Sequence, residues 1–322
     1  MEKATAVAHP IQGLVKYHGL RDVELRIPLH DSISVCVAPY ETRTTVEVRP
    51  DLEEDVYEID GQAATGRAYE RIQLVVDHLR NLGGRQERVQ MRSQNNFMSN
   101  IGLGASSSGF AALALAAHVA FGMTLDESEL TKIARLGAGS ASRAVVGGYA
   151  YWHAGENHDS SYAELIAGEA ALELGIVMAI IPAFKDTDDA HAQALTSTFM
   201  PCRTAFVRAT VGDMRAAIVN GDFSTVGRMA EQDSLSLHAV TMNGEQNPIY
   251  WQPETLRVFH EVRRLRNEGL ECYFSVDTGA TVYINCRPDD AKTVEKHIAA
   301  LGIETAQGKV GGPAHLVKKH LF

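Results

Sequence analysis

Asn96-Phe-Met-Ser-Asn-Ile-Gly-Leu-Gly-Ala-Ser-Ser-Ser-Gly-Phe-Ala-Ala-Leu-Ala-Leu-Ala-Ala117 reads as a loop that narrows to Gly102-Leu103-Gly104-Ala105-Ser106-Ser107-Ser108 and continues as an Ala/Leu-rich helix. Glycine lets the backbone turn tightly and lie against a ligand without Cβ interference. Small hydroxyl residues at a helix start supply caps, and the unpaired N–H groups there carry the positive end of the helix dipole. Together they suit a polyanion, phosphate above all.

The segment is not a Walker A loop, because no Gly-Lys-Ser/Thr follows the glycines. It also lacks the G-x-G-x-x-G spacing and the later ribose-binding acid of a dinucleotide site. Taken alone it also fits an ordinary helix start packed closely on a sheet, so its meaning depends on the rest of the chain.

The chain has 322 residues, enough for one large domain or two lobes around a sizeable core. Hydrophobic residues at 45% and charged residues at 22% are those of an ordinary globular protein. A net charge of −10 argues against nucleic acid as a partner, although a local cluster of Lys and Arg can still hold a small anion. Cys36, Cys202, Cys272 and Cys286 form no CxxC pair and read as reduced thiols. The histidines show no zinc-ligand spacing. Neither a signal-like start nor a run of membrane-spanning length is present, so the expected location is the cytoplasm, without membrane contact.

The chain opens strand-rich. Gly13-Leu-Val runs into Lys16 and Tyr17, followed by strands at Asp31–Ala38 and Thr42–Val48. Helical periodicity covers Gly66–Leu82, a short strand begins at Val89, and the Phe110–Phe121 helix is apolar almost all round and so buried. After an amphipathic helix at Asp126–Arg135 comes a second Gly/Ser helix start, Gly139-Ser140-Ala-Ser142-Arg143. Its arginine suits a carboxylate or phosphate, and its small residues equally suit a close helix contact. Strands at Gly148–Trp152 and Gly175–Ile181 lead to a polar loop, Lys185-Asp-Thr-Asp-Asp-Ala-His191. Helices follow at Thr204–Val219, Phe223–Thr241 and Pro253–Glu268. A strand from Glu271 then delivers Asp277 into Asp277-Thr-Gly279, and Pro288–Leu301 is helical.

Lys16-Tyr17, the Gly102–Ser108 loop, Gly139-Ser-Ala-Ser-Arg143 and Asp277-Thr-Gly, in that order, resemble the mevalonate diphosphate decarboxylase family. That family lies within the GHMP kinase superfamily, with galactokinase, homoserine kinase and mevalonate kinase. Glu231-Gln-Asp-Ser-Leu-Ser-Leu-His238 and Pro248-Ile-Tyr-Trp251 resemble further family segments, so the likeness spans nearly the whole chain. It implies a two-lobed α/β (α+β) GHMP-kinase-like fold with a cleft between the lobes: an ATP-binding lobe over 1–185 and a second lobe over 186–322. It also implies a chemistry, in which ATP phosphorylates a tertiary 3-hydroxyl and phosphate and carbon dioxide then leave together. On that resemblance Asp277 is the base or orienting acceptor at the hydroxyl. Arg143 holds the substrate carboxylate, and Lys16 stabilises the transferring phosphoryl and keeps Asp277 ionised. Ser140 and Ser142, with Tyr17, contact the substrate; Gly102–Ser108 cradles ATP; and magnesium touches Ser106. A homodimer is common among such relatives. Read without the family, Asp277 caps a turn, Arg143 is a structural ion pair, and Lys16 is a solvated strand end.

Two departures matter. The family pattern Lys-Tyr-Trp-Gly-Lys is here Lys16-Tyr17-His18-Gly19-Leu20, which removes the lysine expected at the substrate's diphosphate. The Lys-x-x-Ser-Ser-x-x-Gly-Met region is replaced by Lys185–His191, with Asp188 and Asp189 where a phosphate contact is expected. Fewer cations and more acids disfavour a second phosphate. The start, His9-Pro-Ile-Gln-Gly-Leu-Val-Lys-Tyr-His-Gly19, resembles the branch that acts on 5-phosphomevalonate and gives isopentenyl phosphate. His18, His191 and Lys185 are candidates for the single phosphate. Three alternatives stay open: a diphosphate decarboxylase, a mevalonate 3-kinase, and a non-catalytic nucleotide-binding protein.

Overall fold

The computed structural model describes residues 3–98, 103–183 and 186–322. The first strands are β1 (Lys3–Ala8), β2 (Ile11–Val15), the hairpin β3 (Leu20–Asp22) and β4 (Ile27–Pro28), β5 (Ser32–Ala38), β6 (Thr42–Arg49), β7 (Val56–Ile59) and β8 (Gln62–Ala63). Helix α1 (Gly66–Leu82), β9 (Arg88–Asn95) and helices α2 (Ala105–Ala120), α3 (Glu127–Gly137) and α4 (Ala141–Val146) follow. Then come β10 (Tyr149–Trp152), β11 (Ala163–Ala167), β12 (Gly175–Ile180) and helices α5 (Thr187–Thr196), α6 (Met200–Val219), α7 (Phe223–Met242) and α8 (Pro253–Asn267). The chain ends with β13 (Cys272–Val276), β14 (Val282–Cys286), α9 (Ala291–Ala299), β15 (Glu304–Val310) and β16 (His315–Leu316).

Two sheets carry the fold. One has six strands in the order β16-β1-β6-β9-β7-β8; the other runs β11-β10-β5-β15-β12-β14-β13, with β2 paired to β5. This is the expected mixed α/β architecture. The first sheet packs against α1 to α4 through Val46, Val75, Met91, Ala114 and Ile133, among others. Helix α2 is buried on nearly every face, as its all-apolar sequence requires. It starts five residues earlier than the apolar run suggests, so the serines belong to its first turns. The second sheet has two apolar faces. Leu14, Val35, Met178 and Tyr283 meet α6 and α7 on one side, and Val177, Phe274 and Ile284 meet α8 and α9 on the other.

The expected loop at 185–191 is instead mostly helix. Asp186 accepts the N–H groups of Asp188 and Asp189, and these acids occupy the first turn of α5, where the dipole favours them. Residues 184 and 185 lie outside the described residues, and with them the candidate Lys185. Gly102 does also.

Candidate functional site

One cleft gathers side chains from across the chain. Ile11, Gly13, Lys16 and Tyr17 come from β2 and its end, and Gly104, Ser106 and Ser107 from the start of α2. Ser140 and Arg143 belong to the second Gly/Ser helix start, Thr187 and His191 to α5, Leu237 to α7, and Asp277 and Thr278 to the turn after β13. Ile11, Gly13, Thr187, Leu237 and Thr278 carry little chemical signal of their own in the sequence, and topology alone brings them here.

Asp277 and Lys16 are held by backbone as well as side chains. The Gly13 N–H donates to Asp277 Oδ1 at 3.0 Å, and a Cβ on Gly13 would stand 2.9 Å from that oxygen. The register of β2 against β5 shifts between Gly13 and Val15, just before Lys16. His238 donates from Nε2 to the Asp277 carbonyl at 2.8 Å and packs on Trp251. The buried Lys16 ammonium donates to Ser275 Oγ at 3.0 Å and Ser234 Oγ at 3.1 Å, with Asp233 Oδ2 at 3.4 Å. Burial lowers its pKa, against the opposing pull of Asp233 and Asp277. Lys16 is therefore not a solvated strand end. The carboxylate in contact with it is Asp233, which sequence reasoning quoted only as part of a family-like segment.

Arg143 is 2% exposed, lies 5.4 Å from the ring centroids of both Tyr17 and Trp152, and has no hydrogen-bond partner at Nε or Nη1. It is no structural ion pair. Burial pushes its pKa down to about 10. A guanidinium with two unpaired nitrogens, walled by aromatic rings and lining a cleft, suits an anion there, because an unpaired buried cation is costly. The glycines of this segment also serve packing: a Cβ on Gly137 would enter the Phe110 ring, and one on Gly139 would meet Trp152 and Tyr17.

The helix start is divided in its duties. Gly104 has φ +72° and offers no side-chain cap, so first-turn donors of α2 remain for an anion. Ser106 is exposed and lines the cleft. Ser107 donates to the Gly104 carbonyl at 2.6 Å and accepts from Ile11 N–H at 3.2 Å, while Ser108 shares a 2.6 Å hydrogen bond with Thr42. Their hydroxyls pin the loop, and Leu103 is buried. Ala105 and Ser106 also border a second, mostly apolar cavity beside Arg71, Ile72, Met91 and Phe110.

Among the substrate candidates, Tyr17, Ser140 and His191 line the cleft. Gly19 N–H donates to His191 Nδ1 at 3.2 Å, and the His191 ring stacks on Tyr17. Ser142 and His18 do not line it. Ser142 donates to the Gly139 carbonyl at 2.8 Å, and fully buried His18 meets Thr241 Oγ1 at 2.8 Å from Nε2. Burial holds His18 well below the usual histidine range, hence neutral. Asp188 and Asp189 are not bare charges either: Asp188 takes two hydrogen bonds from Arg26, and Asp189 accepts from Tyr250 at 3.5 Å. No group of three or more His, Cys, Asp or Glu side chains gathers as a metal site among the described residues. No helix among them is long and apolar enough to cross a membrane.

The helix start, lysine, aspartate and arginine of this cleft lie on a mixed α/β fold that matches mevalonate diphosphate decarboxylase structures, and its class is GHMP-kinase-like. Residues 8–163 match the diphosphomevalonate decarboxylase-like N-terminal domain, and residues 184–309 the mevalonate 5-diphosphate decarboxylase C-terminal domain. The chain belongs to the diphosphomevalonate decarboxylase family. It is 50% identical to the phosphomevalonate decarboxylase of Haloferax volcanii, covering 98% of both chains. The crystal structure of mevalonate diphosphate decarboxylase from Staphylococcus aureus superimposes with a TM-score of 0.93 at 27% identity, covering 98% of each chain. A structure of MDDEF in complex with MVAPP, AMPPCP and magnesium gives 0.92 at 27% identity, covering 99% of each.

Proposed function

We propose that the protein is an ATP- and Mg²⁺-dependent decarboxylase of (R)-5-phosphomevalonate that forms isopentenyl phosphate, ADP, phosphate and carbon dioxide. The observation that carries this reading is Arg143, a buried guanidinium whose Nε and Nη1 have no hydrogen-bond partner, in one cleft with Lys16, Asp277 and the start of α2. The substrate carboxylate supplies the missing anion, and the flanking rings fix the guanidinium plane, so the bond to be broken is held in one orientation. Asp277, fixed by the Gly13 N–H, accepts the hydrogen bond of the 3-hydroxyl and orients its oxygen for phosphorylation. Lys16, held by Ser234, Ser275 and Asp233, stabilises negative charge as the phosphoryl group moves and departs. ATP phosphates rest on the first turn of α2, and the apolar cavity beside Phe110 takes the nucleoside. The described residues fit magnesium only as an ion carried by phosphates and water, with the exposed Ser106 hydroxyl as its protein contact.

The monophosphate is favoured because Leu20, at the position where the family has a lysine, is buried in a hairpin. The 50% identical relative bears the name of that activity. We place the enzyme in the cytoplasm, where its unpaired cysteines stay reduced, and divide it near residue 185 into an ATP lobe and a second lobe.

The test is ATP consumption and CO₂ release with mevalonate, 5-phosphomevalonate and 5-diphosphomevalonate side by side. Turnover with CO₂ from the monophosphate alone is the expected result. Preference for the diphosphate overturns the branch assignment, and ADP without CO₂ points to a 3-kinase.

A further inference from the structure

With Arg143 facing the carboxylate and Lys16 and Asp277 at the hydroxyl, the wall left for the 5-end of the substrate is Tyr17, Thr187 and His191. The N–H groups of Asp188 and Asp189 at the start of α5 are already taken by Asp186. A phosphate arriving there needs a side-chain cation, and Leu20 does not provide one.

The hairpin that buries Leu20 returns a cation in its turn. Arg26 immediately precedes β4 and has φ +53°, a left-handed conformation that costs a non-glycine residue about 1–2 kcal/mol. Such strain persists only where the surroundings impose it. The Arg26 side chain is 12% exposed and reaches α5, where Nη1 and Nη2 donate to Asp188 Oδ1 and Oδ2 at 3.1 and 3.2 Å. Asp188 follows Thr187 in the first turn of α5 and also touches Arg67. Arg26 does not itself line the cleft, but Tyr17 and Thr187 beside Asp188 do, and Arg26, with Arg143 and Arg71, opposes the rise that burial imposes on the Tyr17 hydroxyl. The contact with Asp188 uses two of the five N–H donors of a guanidinium, which leaves three.

We propose that Arg26 binds the phosphate at the 5-end of the substrate and that Asp188, which orients Arg26, restricts the site to one phosphate. This deepens the phosphomevalonate reading and rests on it. A monophosphate meets the donors of Arg26 that Asp188 does not use. A second phosphate must compete with Asp188 and Asp186 for Arg26 and Arg67, and the acids it displaces are left unpaired beside it, where like charge disfavours it. Specificity thus comes from a cation moved to the other side of the hairpin and an acid placed beyond it.

The test is steady-state kinetics of wild type, Arg26→Gln, Arg26→Lys and Asp188→Asn with both phosphorylated substrates, alongside melting temperatures. Arg26→Gln is expected to raise KM for phosphomevalonate roughly 10- to 100-fold, with kcat and KM for ATP changed by less than about threefold. Arg26→Lys recovers part of that loss. Asp188→Asn shifts the ratio of kcat/KM values toward the diphosphate by about tenfold. An unchanged KM in Arg26→Gln, or a loss shared equally with KM for ATP and with the melting temperature, overturns the role of Arg26. An unchanged ratio in Asp188→Asn overturns that of Asp188. A wild type that uses only the diphosphate sinks the functional reading instead, and the Arg26→Gln effect on that substrate's KM still tests the phosphate contact.

Discussion

The carboxylate of Asp233 stands between two buried cations, 3.4 Å from Lys16 Nζ and 2.6 Å from Arg203 Nη2. It also accepts the Lys16 N–H at 3.0 Å, while Arg203 donates to the Lys16 carbonyl at 2.7 Å. The lysine at the cleft is thus fastened at backbone and side chain by a pair that does not line the cleft. Replacing Asp233 by Asn leaves two buried cations facing a neutral amide, and breaking a buried pair in this way costs about 3–5 kcal/mol. Urea denaturation of Asp233→Asn measures it. The double variant Asp233→Asn with Arg203→Met should regain part of the loss. A single-variant cost below about 1 kcal/mol would show that the pair is not needed for stability.

This pair also marks how far the sequence could be read. Asp277, Arg143 and Lys16 stand out because the segments that carry them resemble the family's motifs; read without that likeness, each is an ordinary turn cap, ion pair or strand end. Arg203 lies within α6 with no such mark, and its role depends on α7 and the end of β2 meeting it in space. Strand β15, Glu304-Thr-Ala-Gln-Gly-Lys-Val310, was hidden for a related reason. It has no apolar alternation, yet it lies between β5 and β12 because Gly308 lets it approach Val37 and Ala38. Helix α5 carried a legible signal, Asp186 with two acids after it, which a polar composition concealed.

Lys16 should impose an alkaline limit on activity. Burial lowers its pKa from the ordinary 10.5, so the folded enzyme loses this charge at a lower pH than an exposed lysine would. The cation stabilises phosphoryl charge, so kcat/KM is expected to fall as pH rises through that lowered value, with the limb beginning below 10.5. Lys16→Arg keeps the charge at higher pH and should move the limb upward while lowering the plateau. A limb that stays in place in Lys16→Arg assigns it to another group.

Arg143 should trade stability for activity. Its buried guanidinium makes no ion pair among the described residues, and the more distant charge of Asp277 and the rings of Tyr17 and Trp152 offset only part of its desolvation. Arg143→Met fills the same space without a charge. We expect it to abolish decarboxylation while stabilising the fold by about 1–3 kcal/mol. Thermal unfolding of the substrate-free protein and a CO₂-release assay read the two effects separately. A destabilised Arg143→Met would mean that the arginine already has its counter-charge without substrate.

Gly104 is where the backbone of the phosphate loop is most constrained. At φ +72° and ψ 28° it is left-handed, and an added Cβ would stand 3.2 Å from both the Ile11 carbonyl and Ser107 Oγ. Gly104→Ala therefore carries the left-handed penalty of about 1–2 kcal/mol and presses on the Ser107 hydroxyl that ties β2 to α2. The first turn of α2 is then displaced relative to Lys16 and Asp277, so the loss should fall on the nucleotide. KM for ATP is expected to rise about tenfold, with KM for phosphomevalonate changed less, since a misplacement of about 1 Å is enough for such losses. Equal increases in both constants would locate the damage in β2, whose Gly13 N–H holds Asp277, rather than in the phosphate loop.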